Sequence, residues 1–158
     1  MGRVALVLIA VLTTHPAWAA AQDAKAEVLA TGQGVFDGML RRDTTALRPL
    51  FHPAAHLVAT TEQDGKPVSR VSNLAEFLTQ IGGFPGVPLE RMWNAEVKIS
   101  GTIATIWTQY DFHQGLEWSH CGIDSFQMVK GPDGWQVVSL IYTVVRDHCA
   151  KNPVGPPK

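Results

Sequence analysis

The chain lacks an excess of charge of either sign: 13 Lys and Arg stand against 14 Asp and Glu, a formal −1. Without a basic patch or an acidic block, nothing in it invites nucleic acid or acidic lipid. It also lacks an internal repeat and, outside its Pro-rich end, any low-complexity tract. Gly32-x-Gly34 has no strand before it and so makes no phosphate loop, and no Ser stands in a nucleophile-elbow setting. Cysteine is scarce, limited to Cys121 and Cys149, and no apolar run reaches the roughly 20 residues that a spanning helix needs.

What is there begins with MGRVALVLIAVLTTHPAWA. Arg3 supplies a short positive region, Val4 to Leu12 an apolar run, and Ala17 and Ala19 an Ala-x-Ala end. This is the pattern of a secretory signal peptide over residues 1–19, and it predicts a periplasmic or secreted protein. Residues 20–149 then form one domain of ordinary size, and the Pro-rich residues 150–158 a disordered tail. Export puts both cysteines where thiols oxidise, so a Cys121–Cys149 disulfide is expected. A nucleophilic Cys121 is the poorer reading, because its neighbour His120 would point to the opposite face of a strand.

Apolar residues at Val28, Leu29, Val35, Phe36, Met39 and Leu40 predict a helix from about Ala24 to Arg42, weakened by Gly32 and Gly34. A short helix capped by Asp43 follows, with Pro49 inside it and Pro53 ending it. Asp64-Gly65 between two β-branched runs predicts a hairpin, and Asn73 caps a third helix closed by glycines and Pro85. From Leu89 the character changes to four long alternating runs separated by Ser-Gly, Gln-Gly and Gly-Pro-Asp-Gly, a meander of antiparallel strands. Pro132-Asp133-Gly134 suits a turn with a glycine bulge, with Gly131 opposite Trp135. That register faces Asp124 with Tyr142 and Phe126 with Leu140, and puts Val129 and Val137 on the reverse. The expected fold is α+β, with helices on one face of the sheet.

The stretch YDFHQGLEWSHCGIDSFQMVKGPDGWQVVSLIYT, preceded by a helix pair, a hairpin and a third helix, resembles the nuclear transport factor 2-like superfamily. Within it the resemblance is to the SnoaL-like and lumazine-binding branch of secreted bacterial proteins. It rests on a Tyr-x-Phe strand, then HCG-x-D-x-F, then GW opening the last strand. The resemblance implies a cone-shaped, cystatin-like fold, one pocket between the sheet and the helices, and often a homodimer through the convex face. No cofactor is expected. Ketosteroid isomerases of this superfamily pair a carboxylate base with a Tyr and a protonated acid, and its polyketide cyclases also use an acid/base residue in the cone. Tyr110 or Tyr142 with Asp124 resembles such a set in residue type, and no isomerase position carries over onto this chain.

Several residues qualify as candidates on their own chemistry. Arg91 and Trp93 share the odd face of their run with Ala95, Val97 and Ile99, where they could hold a carboxylate or an aromatic ring, or be a surface Arg above a core Trp. On the next run Ala104, Ile106, Thr108, Tyr110 and Phe112 form one face, Ile103, Trp107, Gln109, Asp111 and His113 the other. A one-residue slip would exchange them. His120, Gly122, Asp124, Phe126 and Met128 share a face, with Gly122 leaving room for a ligand. His120 and Asp124 lie roughly 13 Å apart along such a strand, so they could flank a bound molecule but not bond each other. Asp124 bonded to Tyr142 and His120 bonded to a carbonyl is the structural alternative.

Two functions follow. One is an exported domain that binds a small, partly apolar or aromatic molecule through Arg91, Trp93, Tyr110, His120, Asp124 and Tyr142. The other is an acid/base isomerase, dehydratase or cyclase using Asp124, His120 and Tyr110. His52 and His56 have one-turn spacing, but Pro53 and the lack of an accompanying Glu favour a corner over a metal site.

Overall fold

A capping side chain starts each of the two shorter helices. Asp43 accepts hydrogen bonds from the backbone N–H groups of Thr45 and Ala46 and opens α2 (Thr44–Leu47), which passes through a 3-10 turn, Arg48–Leu50. Asn73 and Glu76 form a reciprocal capping box that opens α3 (Leu74–Gly82), whose Leu74, Phe77, Leu78 and Ile81 are all buried. Before them runs α1 (Ala17–Arg41). The structure, a computed structural model, describes residues 17–158, with side chains from residue 19, so most of the expected signal peptide lies outside the described residues.

Helix α1 buries Val28, Val35, Phe36 and Met39 along one stripe. Its glycines weaken it for a reason: a Cβ on Gly32 would stand 2.8 Å from the Ile106 side chain, and one on Gly38 2.7 Å from Leu47. They let the helix lie close on its neighbours.

Six strands follow: β1 (Phe51–Gln63), β2 (Lys66–Asn73), β3 (Pro88–Ser100), β4 (Ile103–Gln114), β5 (Glu117–Gly131) and β6 (Gly134–Thr143). Their spatial order is β2-β1-β6-β5-β4-β3. The β1–β2 hairpin turns at Asp64 and Gly65, both at positive φ, as a two-residue primed turn requires. From it α3 carries the chain to the far edge, and β3 to β6 return as the expected antiparallel meander. Strand β6 ends beside β1 and runs parallel to it, so the sheet is mixed. Pro53 does not end a helix. It lies in β1 where the register with β6 shifts between Phe51 and His56, a gap in which its missing N–H costs no ladder bond.

The β5–β6 turn is tighter than expected. Gly131 pairs with Gly134 rather than Trp135, and the extra residue moves up the strand to Val138. Asp124 still faces Tyr142 and Phe126 still faces Leu140. Val137 does not sit on the reverse; it is fully buried beside Met128. Placing the bulge at Val138 lets Trp135, Val137 and Leu140 all enter the core, which α1, α3 and the even-numbered faces of β4 and β5 complete.

The other face of the sheet is partly crossed by the C-terminal segment. Where composition predicts a disordered tail, Arg91 donates to the Gly155 carbonyl at 2.8 Å and Asn152 to Asp111 at 3.3 Å. Cys121 and Cys149 are joined in a disulfide across 28 positions, and Val145 bridges Cys121 by backbone hydrogen bonds. A loop of this length restricts the unfolded chain by about 3 to 4 kcal/mol. Replacing both cysteines by Ser should therefore lower the urea-extrapolated stability by about that amount. An unchanged midpoint would show that the bridge does not act through the unfolded chain.

Candidate functional site

Between the helices and the even face of the sheet lies a partly open cavity of about 160 Å³. Met39 of α1, Phe77, Gln80 and Ile81 of α3, Phe84 beyond it and Leu57 of β1 form one wall. The sheet supplies Glu90, Tyr110, Phe112, His120, Asp124, Leu140 and Tyr142. The even face of β4 is thus the one that lines the cavity, while Trp107 and Ile103 on its other face are 54 % and 59 % exposed. A larger recess of about 940 Å³, beside Thr60–Glu62 and Thr143–Asp147, is an open groove bordered largely by exposed residues, with no buried ionisable group.

The floor of the cavity holds two acids. Asp124 is 1 % exposed, and its Oδ2 has no hydrogen-bond partner. An unmade bond at a buried polar atom costs about 1–3 kcal/mol. Its carboxyl neighbour is Glu90 of β3, which lines the same cavity. Glu90 is intermediate in exposure as a whole residue, yet its carboxyl end is deep enough for desolvation to dominate its chemistry. Burial, then the Asp124 charge and hydrogen bond, then the charge of Asp111, push its pKa well above the usual carboxylate value. Burial likewise pushes Asp124 up to about 8, partly offset by its hydrogen bond with Glu90. Two interacting carboxyl groups whose pKa values are both raised retain a proton at neutral pH.

Around the pair the other groups are settled. Tyr110, 1 % exposed, donates its hydroxyl to the Thr143 carbonyl at 2.7 Å and so offers the cavity its ring rather than its O–H. His120 stacks on Phe112 at 4.8 Å and meets Tyr110 edge-on at 5.9 Å, with Nδ1 3.0 Å from the Ser119 hydroxyl. Its bond is to Ser119, not to a backbone carbonyl. Burial and then the Arg146 charge lower its pKa to about 4, so at neutral pH it is an uncharged ring rather than a proton donor. Tyr142 faces Asp124 across the β5–β6 pair, and burial, then the two acids, push its hydroxyl pKa upward. Gly122 leaves no room for a ligand: a Cβ there would lie 2.0 Å from the Thr143 carbonyl oxygen and 2.8 Å from the Tyr110 ring.

The family model described as Putative lumazine-binding matches residues 23–143. The chain belongs to this family. Its fold is that of the nuclear transport factor 2-like proteins. A protein of that kind with a cystatin-like fold from Novosphingobium aromaticivorans superposes with a TM-score of 0.69 at 15% identity, over 88% of this chain and 92% of that one. One from Streptomyces avermitilis, described as a putative dehydratase, gives 0.60 at 15% identity, over 78% and 97%. A third, from Shewanella baltica and of unknown function, gives 0.59 at 19% identity, over 85% and 100%. At these identities the likeness is one of fold. No curated protein matches the chain in sequence.

In this member of the lumazine-binding family, two expected ligand residues stand elsewhere. Arg91 and Trp93 lie on the opposite face of the sheet from the cavity. Arg91 grips Asp111 with Nε and Nη2 along one edge of its guanidinium, at 2.9 and 2.5 Å, and Trp93 is buried outside the main core cluster. The cause is a bulge. Trp93 pairs with Gln109 but Glu96 with Trp107, and Asn94 takes φ 52. Ala95 and Val97 beyond the bulge do pack on the core, so the odd-face reading holds there and inverts before it. The same inversion carries Glu90 and Met92 inward. Glu90 was therefore invisible to strict alternation; the signal was the adjacent apolar pair Met92-Trp93 followed by Asn, a residue tolerant of positive φ. His52 and His56 stand four apart on β1, and among the described residues no group of three His, Cys, Asp or Glu side chains gathers to hold a metal.

The acid pair fixes the sign of a pH dependence. A carboxyl whose pKa is raised by folding keeps a proton that the unfolded chain releases near pH 4, so stability is full below that value and is lost as pH rises through the folded pKa. His120, whose folded pKa is lowered, adds only a small opposing slope just above pH 7 that fades as the unfolded imidazole loses its proton. Between pH 7 and 8 the unfolding free energy should fall by up to about 1.4 kcal/mol per pH unit for each retained proton. Glu90→Gln should flatten that fall, as read by urea titrations at each pH; an identical slope in the variant would exclude Glu90 from the pair.

Proposed function

We propose that the protein is an exported binding domain that holds a small, partly apolar molecule in the cavity between α1, α3 and the sheet. The observation that carries this reading is the buried Asp124 Oδ2, left without a partner at the edge of the cavity. Groups of that kind are rare in folded proteins, and a ligand that donates a hydrogen bond would remove the penalty. The rings of Phe77, Phe84, Phe112 and Tyr142 would pack on the apolar part of the ligand. The family description, which names lumazine binding, agrees with a small ring-containing ligand. The Cys121–Cys149 disulfide and the apolar leader at residues 4–12 support export. A homodimer through the open face of the sheet is supported by Ile103, Trp107 and Trp118, large apolar side chains left 48–59 % exposed.

A second reading, acid/base catalysis in the isomerase, dehydratase or cyclase class, is favoured by one feature. Two adjacent carboxyls with raised pKa values can give and take a proton near neutral pH. Of the residues first considered for it, Asp124 remains placed to act. Tyr110 has committed its hydroxyl and His120 is a poor acid. Glu90 takes their place as Asp124's partner.

Native mass spectrometry on protein recovered from its own host should show a stoichiometric small molecule released on denaturation, and Asp124→Asn should carry it at a clearly lower occupancy while remaining folded. Protein that arrives empty and turns over a carbonyl-containing ring would move the assignment to the second reading.

A further inference from the structure

We infer that the cavity takes a small organic cation, an ammonium or amidinium group on a single ring or short apolar frame, with the charged end seated on the Glu90–Asp124 pair and the frame among the rings above it. This rests on the reading of the cavity as a ligand pocket and adds the ligand's chemical class.

Four observations converge. First, the unpartnered atom is an acceptor: Asp124 Oδ2, buried and bordering the cavity, needs a donor, and a carboxyl oxygen beside a second carboxyl is served best by a cationic N–H. Second, the donors facing the cavity are few. The Tyr110 hydroxyl is committed to the Thr143 carbonyl, which leaves the Gln80 amide, Tyr142 and the His120 ring against two carboxyl groups.

Third, the charge around the site has one sign. Helix α1 contributes Met39 and α3 contributes Phe77, Gln80 and Ile81, none of them titratable. Strand β1 contributes Leu57, β3 Glu90, β4 Tyr110 with Asp111 behind it, β5 Asp124 with a neutral His120, and β6 Tyr142. The positive groups that act on this neighbourhood, Arg70 on Tyr142 and Arg146 on His120, do not line the cavity. An anionic ligand would meet two acids and no cationic side chain in the lining; a cation meets two acids and no rival charge.

Fourth, the walls and volume suit an organic cation rather than a metal ion. The aromatic residues Phe77, Phe84, Phe112, Tyr110 and Tyr142 line the cavity, and aromatic rings attract cations. A space of about 160 Å³ has room for one ring, since an apolar cavity of about 150 Å³ holds benzene. The proton shared by the acids is then the stand-in for the missing cation: it keeps the pair from carrying two buried charges, and the ligand displaces it.

The displaced proton supplies the test. Benzylamine and its uncharged counterpart benzyl alcohol are titrated into the full chain by isothermal calorimetry between pH 5.5 and 8.5, a range over which an alkylammonium stays charged. Benzylamine should bind with release of a proton, so its affinity should rise by up to about tenfold per pH unit while the pair is protonated and level off above. Benzyl alcohol should bind more weakly and without that rise. Asp124→Asn and, independently, Glu90→Gln should weaken benzylamine by about tenfold or more and leave benzyl alcohol within about twofold, with circular dichroism checking that each variant is folded. If benzyl alcohol binds as tightly as benzylamine, or benzylamine affinity is flat or falls with pH, the cation assignment is overturned while the ligand pocket stands. If neither probe binds folded wild-type protein at millimolar concentration, the assignment and the pocket reading fall together.

Discussion

Side chains alternate between the two faces of a strand, and every bulge exchanges the faces beyond it; this constraint governs what the sheet presents to the helices. Four shifts of register occur, in the β3–β4, β4–β5, β5–β6 and β1–β6 pairs. The one at Asn94 turns Glu90 and Met92 inward while leaving Ala95 and Val97 on the core. The one at Val138 brings Trp135 and Val137 inside without disturbing Leu140 and Tyr142. Remove either and the buried set changes: Arg91 would enter the cavity in place of Glu90, or Val137 would leave the core. The composition of the cavity is therefore a property of where the extra residues fall, more than of any single side chain inside it.

A bulge that buries a carboxylate beside another is costly, because each charge loses hydration that the other cannot restore. A packed core would be more stable with a Leu at either position. The surroundings make the arrangement tolerable because the pair retains a proton, which halves the charge to be buried. Local features that lower stability and serve no packing purpose gather at sites of function. The unpartnered Asp124 Oδ2 is such a feature on the helix-covered side, and it borders the cavity.

Much of the fold was legible because its signals are local. Asp43, Asn73 with Glu76, and Asp64-Gly65 each specify a cap or a turn from within a few residues, and the element order and the family follow from them. The Asp124–Tyr142 and Phe126–Leu140 pairings survived a misplaced bulge because a bulge at the turn and a bulge at Val138 leave the same register beyond both. The site was only half legible. Tyr110, His120, Asp124 and Tyr142 lie on strands whose alternation holds at those positions, so alternation puts them on the cavity side. Arg91 and Trp93 lie just before a bulge, which turns them to the other face and brings in Glu90, a residue alternation does not single out. Whether Tyr110 offers a hydroxyl or a ring depends on a carbonyl 33 positions away, and the protonation of the acids depends on burial from four strands; neither is written in a neighbouring residue.

The two faces of the sheet are also joined electrically. On the open face Asp111 lies under β4, near enough for its charge to raise the Glu90 carboxyl's pKa from behind. Arg91 holds that charge with two hydrogen bonds and ties the arrangement to the tail through Gly155, while Asn152 adds a third contact to the same carboxylate. The tail is itself anchored by the Cys121–Cys149 bridge, and Cys121 sits between His120 and Gly122 on the strand that lines the cavity. A bidentate Arg in a setting only 9–18 % exposed screens the carboxylate it grips more fully than a mobile surface partner could. The clamp thus spares the acid pair part of the repulsion from Asp111, and the disulfide keeps the clamp's outer contacts in place. The tail, remote from the cavity in sequence and on the other side of the sheet, is in this way part of the environment that sets the cavity's charge.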